Sequence, residues 1–301
     1  MLSFLKVNRL LVVMGLVSVA LAAGAAPVPR TEPAEPPARA PAAGIDDMQV
    51  LRALETQTKA LMDAGKTTPM KELVGQLSRT SCDVKLSKPA GQPLTPAQVY
   101  ERCKPSVLVM GGVYKCEKCG KNHCVLASGF IIAETGVAVT NYHVLNEPKN
   151  LTLVAMKADG AVCPVKAVLA ANAAGDVAIV QLGGTGFVPL AVAPAAPVGS
   201  DVFVISHPDS RFFTLSRGIV ARYTTMTRGR KKNATMLQIT AEYAKGSSGG
   251  PVLNTAGEVV GMVSSTMSVY YNDDHGKQQD LQMVFNDCVT SRQILDLIKS
   301  P

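Results

Sequence analysis

The sequence of 301 residues has no tryptophan, only four histidines and only 18% charged residues. Few histidines leave few candidates for a side chain that accepts and returns a proton near neutral pH. Beyond residue 29, no apolar run is long enough to predict another membrane span. The net charge of +7 includes a basic cluster without interleaved aromatic residues, formed by Arg228, Arg230, Lys231 and Lys232. A solvated hairpin loop explains this cluster better than a nucleic-acid module, so no nucleic-acid partner is expected.

The N-terminal residues have the features of an export signal. Lys6 and Arg9 form a charged region, residues 10–23 are apolar and uncharged, and Ala23-Gly24-Ala25 supplies the small residues of a cleavage site. The sequence therefore predicts a signal peptide over residues 1–25 and a secreted or periplasmic protein. An uncleaved membrane anchor is the alternative, and it is the only membrane association expected.

Composition divides the rest of the chain into three parts. Residues 26–44 form a Pro/Ala-rich linker. Residues 45–94 carry apolar side chains at spacings of three and four, which predicts two short amphipathic helices broken around residues 65–69. From residue 95 to residue 301, short β-branched runs separated by turn residues predict an all-β domain, closed by a helix over residues 289–299.

A glycine-rich hexapeptide, Gly246-Ser247-Ser248-Gly249-Gly250-Pro251, is the strongest indication of chemistry. The small residues around Ser248 let its hydroxyl stand clear of a tight turn while backbone N–H groups converge beside it. Acyl transfer needs a nucleophile beside such donors, so Gly246 and Ser248 are predicted to form an oxyanion hole whose loop Ser247 helps to shape. A structural Gly/Ser turn is the alternative interpretation.

Two further segments supply the partners that a serine nucleophile requires. His143 ends a predicted hairpin in Thr140-Asn141-Tyr142-His143-Val144, and Asp176 opens the apolar run that follows it. An unpaired carboxylate is costly to bury, which favours a partner for Asp176, although a turn aspartate is the alternative. His143 is therefore the candidate general base, Asp176 its orienting carboxylate and Ser248 the nucleophile. The chain order His, Asp, Ser is that of two-barrel serine proteases.

The chain resembles trypsin-like serine proteases, and within them the bacterial Deg/HtrA-type branch. The resemblance rests on Ser128-Gly129-Phe130 through His143-Val144, on Asp176-Val177-Ala178-Ile179 and on residues 246–253, and it covers about residues 95–300. It implies an all-β fold of two six-stranded antiparallel β-barrels over residues 95–301, preceded by the short helical segment and followed by a C-terminal helix.

The same resemblance implies a serine endopeptidase that cleaves proteins or peptides through an acyl-enzyme and needs no cofactor for catalysis. No PDZ module is expected, because none follows the predicted protease domain in this sequence. Homo-oligomer formation through the protease domain is left open. A non-catalytic binding or chaperone-like module with the same fold is the alternative function.

Substrate preference is weakly encoded. Glu242 lies six residues before Ser248, where some relatives place the residue at the floor of the substrate pocket, and Ser264 belongs to the opposite predicted wall. A carboxylate at this floor would favour Lys or Arg at the cleavage site. Deg/HtrA-like loops usually favour small or aliphatic residues, and Glu242 can equally point outward.

Seven cysteines are an odd number for an exported protein, so at least one thiol is free or intermolecular if the others pair. Cys116 and Cys119 resemble one knuckle of a zinc ribbon, and His123 or Cys124 would complete three or four tetrahedral zinc ligands. A disulfide between Cys116 and Cys124, which leaves Cys119 free, is the alternative that an oxidising compartment favours. The sequence leaves both open.

Overall fold

A computed structural model describes residues 44–89, 91–228, 231–274 and 277–299. The predicted signal peptide, residues 26–43 of the predicted linker, Arg230 and the side chains of the other basic-cluster residues lie outside this description. Within the described residues, no helix combines the length and the apolar character needed to cross a bilayer.

The described residues form five α-helices and fourteen strands. The helices are α1 Asp47–Asp63, α2 Met70–Gly75, α3 Pro96–Cys103, α4 Tyr142–Leu145 and α5 Ser291–Leu295. The strands are β1 Cys82–Asp83, β2 Val107–Lys115, β3 Asn122–Ala133, β4 Val137–Thr140, β5 Asn150–Met156, β6 Val162–Asn172, β7 Val177–Leu182, β8 Asp201–Ser206, β9 Thr214–Arg228, β10 Lys231–Ile239, β11 Pro251–Leu253, β12 Val259–Asp274, β13 Lys277–Thr290 and β14 Ile298–Lys299.

Twelve of these strands form two antiparallel rings of six. The first ring is a closed barrel in the order β2-β3-β4-β7-β6-β5, and the second runs β10-β13-β12-β11-β8-β9. Pairing in both rings is antiparallel throughout, as in β2 with β3 and β8 with β9. The predicted mostly β fold with few helices is thus confirmed, including a closed six-stranded barrel.

Side-chain alternation along the strands separates the interior of the first barrel from the layer between the two rings. On β2, Leu108 and Met110 belong to the barrel interior, whereas Val107 and Val109 face a second buried cluster. That second cluster also contains Phe203 of β8 and other residues of the second ring. The two rings therefore share a continuous apolar layer. Loops from the first ring and loops from the second can meet at the edge of this layer.

The N-terminal helices pack against strands of the first barrel. Asp46 caps α1 by accepting a hydrogen bond from the Gln49 amide at 3.0 Å. Leu54 of α1 joins the layer between the rings, and Leu73 of α2 joins the interior cluster of the first barrel. The two helices lie on either side of residues 65–69, where the sequence predicts a break.

The predicted C-terminal helix over residues 289–299 is too long. Val289 pairs with strand residues on both sides, and Thr290 caps a helix that covers only Ser291–Leu295. Ile298 and Lys299 then form β14, which pairs in parallel with β1. The local apolar spacing could not reveal this pairing, because the partner strand lies more than 200 residues earlier.

Candidate active site

His143 and Asp176 form a hydrogen-bonded pair. His143 lies on the one-turn helix α4, directly after β4. Its Nδ1 lies 3.0 Å from each carboxylate oxygen of Asp176, and its backbone N–H donates to Oδ1 at 3.1 Å. Two of these contacts act on the imidazole and one on the backbone, so the carboxylate fixes both the ring and the turn that carries it.

The turn between β6 and β7 explains why an aspartate can stand at position 176. The φ angle of Asp176, 53°, is in the left-handed region, which Asp and Asn tolerate better than other non-glycine residues. Asn172 stabilises the turn by accepting hydrogen bonds from the amides of Ala174 and Gly175. Asn141 donates to the Asp176 carbonyl at 3.0 Å, which joins this turn to the residue two before His143.

Ser264, a predicted pocket residue, contacts the carboxylate of Asp176. Its hydroxyl donates to Asp176 Oδ2 at 2.7 Å. The pairing of β12 with β13 shifts register between Val263 and Ser265, and such an irregularity re-aims the side chain within it. Regular strand alternation is therefore interrupted at Ser264.

The surroundings of Asp176 favour its charged form. Burial by itself raises the pKa of this carboxyl group, but the hydrogen bonds from His143 and Ser264 outweigh burial, and the pKa lies below its usual value. Asp176 thus remains an anion at neutral pH and can stabilise a positively charged imidazolium at His143.

Ser248 lies on the other side of Ser264. Its hydroxyl donates to the Ser264 carbonyl at 3.3 Å, and within the described residues it makes no hydrogen bond to His143. Ser264 therefore contacts Asp176 through its side chain and Ser248 through its backbone. The structure brings His143, Asp176 and Ser248 together around this one residue.

Two backbone N–H groups of the glycine-rich loop, those of Gly246 and Ser248, are unused within the described residues. The Lys245 carbonyl accepts a hydrogen bond from the Asp209 amide at 2.7 Å. Because a trans peptide points its C=O and N–H in opposite directions, the Gly246 N–H faces away from Asp209. Neither this N–H nor that of Ser248 donates a hydrogen bond within the described part of the chain.

Ser247 shapes the loop but does not supply a free donor. Its amide donates to the Ala244 carbonyl at 3.0 Å, and its fully buried hydroxyl accepts from Ser206 at 2.9 Å. The three predicted oxyanion-hole residues thus separate into two with unused N–H groups, Gly246 and Ser248, and one that holds the turn.

Two positions of the loop require glycine, because the backbone of another segment lies too close to them to leave room for a side chain. Gly246 has a φ of +97°, and a Cβ there would lie 2.4 Å from the His207 carbonyl oxygen. Gly249 has a φ of +87°, and a Cβ there would lie 2.1 Å from the Ser128 carbonyl oxygen. Any side chain at either position would push the loop away from its supports.

Ser128 of the first barrel clamps this loop, a role that the sequence does not reveal. Its amide donates to the Ser248 carbonyl at 2.7 Å, and its buried hydroxyl donates to the Gly246 carbonyl at 2.9 Å. Thr140 in turn donates to the Ser128 carbonyl at 2.8 Å. The sequence names Ser128 only as part of a family motif, and the fold shows that it holds the glycine-rich loop at both Gly246 and Ser248.

His207 is a second supporting residue that the sequence does not assign. It is fully buried, its Nε2 donates to the Leu108 carbonyl at 3.0 Å, and its Nδ1 accepts from the Phe213 amide at 3.0 Å. Acceptance at Nδ1 requires a neutral ring. Burial lowers the pKa of His207 to about 4.

Because His207 titrates at a lower pH in the folded chain, we expect stability to fall on acidification. The unfolded chain takes up this proton near pH 6.5 and the folded chain only near 4, so stability is lost between these values. From pH 7 to pH 5 the expected loss is about 2 kcal/mol. Urea unfolding of wild type and His207→Gln at both pH values measures it. An equal change in the variant would contradict the assignment.

The predicted pocket residue Glu242 has an exposed side chain. Its backbone carbonyl accepts a hydrogen bond from Ser216 at 2.7 Å. The next residue, Tyr243, turns inward and donates to the Asp287 carbonyl at 2.9 Å. The exposed Glu242 side chain lies six residues before Ser248 in the sequence.

Three of the four predicted metal ligands lie together at the turn between β2 and β3. One ligand atom from each of Cys116, Cys119 and His123 lies within 4.8 Å of the other two. Cys124 is not in this group, because it follows His123 on β3 and adjacent strand residues point to opposite faces. Its side chain packs against the apolar layer between the rings.

The alternative disulfide between Cys116 and Cys124 is wrong. Cys124 pairs with Val113, three residues before Cys116, which puts the two Cα atoms about 10 Å apart along the hairpin. A disulfide requires less than about 7 Å. All seven cysteines are free thiols in the structure.

Comparison with known proteins gives consistent matches. A family model of the trypsin-like peptidase domain matches residues 127–262, which include His143, Asp176 and Ser248. Serine endoprotease DegS of Escherichia coli K12 is 28% identical over 152 residues, which cover 50% of this chain and 41% of DegS. A probable periplasmic serine endoprotease, DegP-like, of Brucella suis is 32% identical over 149 residues, 47% of this chain and 28% of the relative.

A vertebrate relative shows the same pattern. Serine protease HTRA1 of Xenopus laevis is 31% identical over 144 residues, which cover 45% of this chain and 30% of HTRA1. The chain therefore aligns with less than half the length of each of these three relatives.

Proposed function

We propose that this chain, which carries a trypsin-like peptidase domain and is homologous to DegS, DegP-like and HTRA1 serine proteases, is a serine endopeptidase. The observation that carries the proposal is the grouping of the His143–Asp176 pair and Ser248 around Ser264. The two six-stranded rings then correspond to the paired barrels of a trypsin-like fold.

In the proposed mechanism, Ser248 first turns its hydroxyl from the Ser264 carbonyl toward His143 Nε2. His143 takes the hydroxyl proton while Ser248 Oγ attacks the scissile carbonyl carbon. Catalytic hydrogen bonds of this kind are often completed only when substrate binds. Asp176 holds Nδ1 protonated and stabilises the imidazolium that forms.

The Gly246 and Ser248 N–H groups stabilise the oxyanion that develops on the substrate. These donors are held in place before reaction, so their alignment costs little at the transition state. His143 returns its proton to the leaving amine, and the peptide C–N bond breaks to leave an ester on Ser248. Water then attacks the ester with His143 as base, which releases the acid product and restores the Ser248 hydroxyl. None of these steps requires a cofactor.

Ser264 is proposed as a positioning residue for Asp176. We expect Ser264→Ala to lower kcat about tenfold, equivalent to about 1.4 kcal/mol, with KM little changed. The variant should also raise the pKa of the Asp176 carboxyl group, because a hydrogen bond to its charged form is lost. Steady-state kinetics and an NMR titration of Asp176 measure the two effects, and Ser264→Thr should restore both. An unchanged kcat and an unchanged titration would reject the role.

Cleavage-site profiling of a peptide library tests the function directly. Wild-type protein should cut peptide bonds with a reproducible sequence preference, whereas Ser248→Ala protein should cut none. The same experiment with Glu242→Gln tests whether this exposed carboxylate favours Lys or Arg at the cleavage site, or whether the site takes small or aliphatic residues. A basic preference in the wild type that disappears in Glu242→Gln would support a role for Glu242, and identical profiles would exclude it.

In the structure, Ser248 donates its hydroxyl hydrogen bond to Ser264 and not to His143. A non-catalytic binding module with this fold would keep Ser248 in this position. That alternative predicts substrate binding without cleavage in the same profiling experiment. We favour the enzyme, because the loop also presents two unused N–H groups where an oxyanion would form.

Export and assembly are part of the proposal. Residues 1–25 direct the chain to the periplasm or the exterior, and N-terminal sequencing of the mature protein should begin after Ala25. Its substrates are proteins or peptides that it meets there. Homo-oligomer formation stays a prediction, which sedimentation of the mature protein would test.

A further inference from the structure

The hairpin that joins β2 and β3 carries a group of metal-ligand side chains away from the catalytic residues. Cys116 and Cys119 lie in its turn, and His123 lies at the start of β3. Cys119 Sγ is 3.1 Å from His123 Nε2. Two thiols and an imidazole with converging ligand atoms are the donors that zinc prefers, and the cluster needs only small movements to close around an ion.

The backbone of the turn holds the two cysteines in a fixed relation. The Gly120 amide donates to the Cys116 carbonyl at 2.9 Å, and the Cys116 amide donates to the Lys121 carbonyl at 2.8 Å. Gly120 supplies the left-handed conformation that this turn needs, with a φ of +68°. Both thiols are thereby held close to each other without a disulfide between them.

The second nitrogen of His123 faces a carboxylate on a different element. Its Nδ1 lies 3.7 Å from Glu55 Oε1 of α1, while its Nε2 faces Cys119. Histidines that bind metals usually donate their other ring N–H to a carboxylate, carbonyl or water, which fixes the tautomer and orients the ring. His123 lies between a thiol and a carboxylate, and a small movement would bring Nδ1 within hydrogen-bond distance of Glu55. Packing in a core does not explain this arrangement, since the His123 and Glu55 side chains are both partly exposed.

We propose that Cys116, Cys119 and His123 Nε2 bind one zinc ion, and that Glu55 of α1 orients His123. Binding requires the loss of a proton from each thiol. Three protein ligands leave a fourth position, which water or a ligand from outside the chain would occupy. The ion would also fasten α1 to the hairpin of the first barrel through the Glu55–His123 contact.

Metal analysis of the purified mature chain tests the site. After incubation with Zn²⁺ and dialysis, we expect one zinc per chain, and with Co²⁺ a thiolate-to-cobalt absorption band together with tetrahedral d–d bands. Cys116→Ser, Cys119→Ser and His123→Ala should each lose the ion. Cys124→Ala is the matched control, because its thiol is next in sequence but faces the apolar layer, and it should retain one zinc.

Glu55→Gln tests the orienting contact separately. We expect it to weaken zinc affinity about 10- to 100-fold. Asp63→Asn, which changes another carboxylate of α1, should leave affinity unchanged. Zinc at about 100 times its Kd should also raise the Tm of the wild type by roughly 5–10 °C, and that of His123→Ala much less.

Several results would overturn the proposal. One is the absence of stoichiometric zinc in reduced protein whose circular dichroism shows it to be folded. Another is zinc retention in Cys119→Ser or His123→Ala. The third is a disulfide between Cys116 and Cys119 in protein recovered from its natural compartment, because oxidised sulfurs cannot act as thiolate ligands. Each result is independent of peptidase activity.

Discussion

We expect the substitution Ser248→Ala to lower kcat for peptide hydrolysis by about 10⁶-fold while the chain stays folded. The hydroxyl is the only atom group removed, and it is the proposed nucleophile. Its loss also removes the hydrogen bond to the Ser264 carbonyl, which is long at 3.3 Å and contributes little to stability. Active-site-titrated wild type and variant, assayed on the same peptide, give the ratio.

Ser247→Ala is the matched control in the same loop. It removes a hydroxyl one residue away that is buried and accepts a hydrogen bond from Ser206. The expected effect is a loss of about 1–2 kcal/mol in the free energy of unfolding, because a buried donor loses its partner, with kcat reduced far less than in Ser248→Ala. If the two variants lost similar activity, the loss in Ser248→Ala would come from a changed loop structure and not from removal of the nucleophile.

The second large effect is expected from Gly246→Ala, with kcat lower by about 10²- to 10³-fold. The added Cβ would lie 2.4 Å from the His207 carbonyl, so the loop must move and the Gly246 N–H must leave its position. The loss of one oxyanion donor costs about this factor in comparable enzymes. KM should change little, because the donor acts mainly on the transition state.

Gly160→Ala separates backbone strain from the loss of the donor. Gly160 also has a positive φ, +86°, but a Cβ there meets no atom within 4 Å. Both variants should therefore lose stability through the strained conformation, and only Gly246→Ala should lose activity. Equal kcat values for Gly246→Ala and wild type would show that the Gly246 N–H is not an oxyanion donor.

The sequence predicts most of the elements that carry the candidate site. Short apolar runs bounded by turn residues indicate the strands, and Asp176 directly precedes β7 as that pattern predicts. His143 follows β4 as expected, but it lies on the one-turn helix α4, which the pattern does not show. The glycines around Ser248 mark a loop in which backbone must approach backbone. These features are local, so a single sequence can reveal them.

Contacts between distant residues could not be predicted in the same way. Ser128 reaches Gly246 and Ser248 across some 120 positions, and Ser264 turns to Asp176 because β12 is irregular at that point. The error in the C-terminal helix has the same origin, since β14 exists only by pairing with β1. Local periodicity carries no information on such pairings.

Strand geometry decides which residues of the cysteine hairpin can bind the same metal ion. Four potential ligands lie close together in sequence, yet His123 and Cys124 must point to opposite faces of β3. The orienting carboxylate, Glu55, comes from α1, which the sequence shows only as an amphipathic helix. Knowledge of the register of β2 and β3 is therefore needed to choose among the ligands.

Covalent labelling by a fluorophosphonate tests the central claim most directly, since it requires an activated serine, its base and the oxyanion donors in one place. Intact mass and peptide mapping should find one adduct per chain, on Ser248, in the wild type, and none in Ser248→Ala or His143→Ala. No adduct on folded wild-type protein, or an adduct on another serine, would contradict the proposed peptidase.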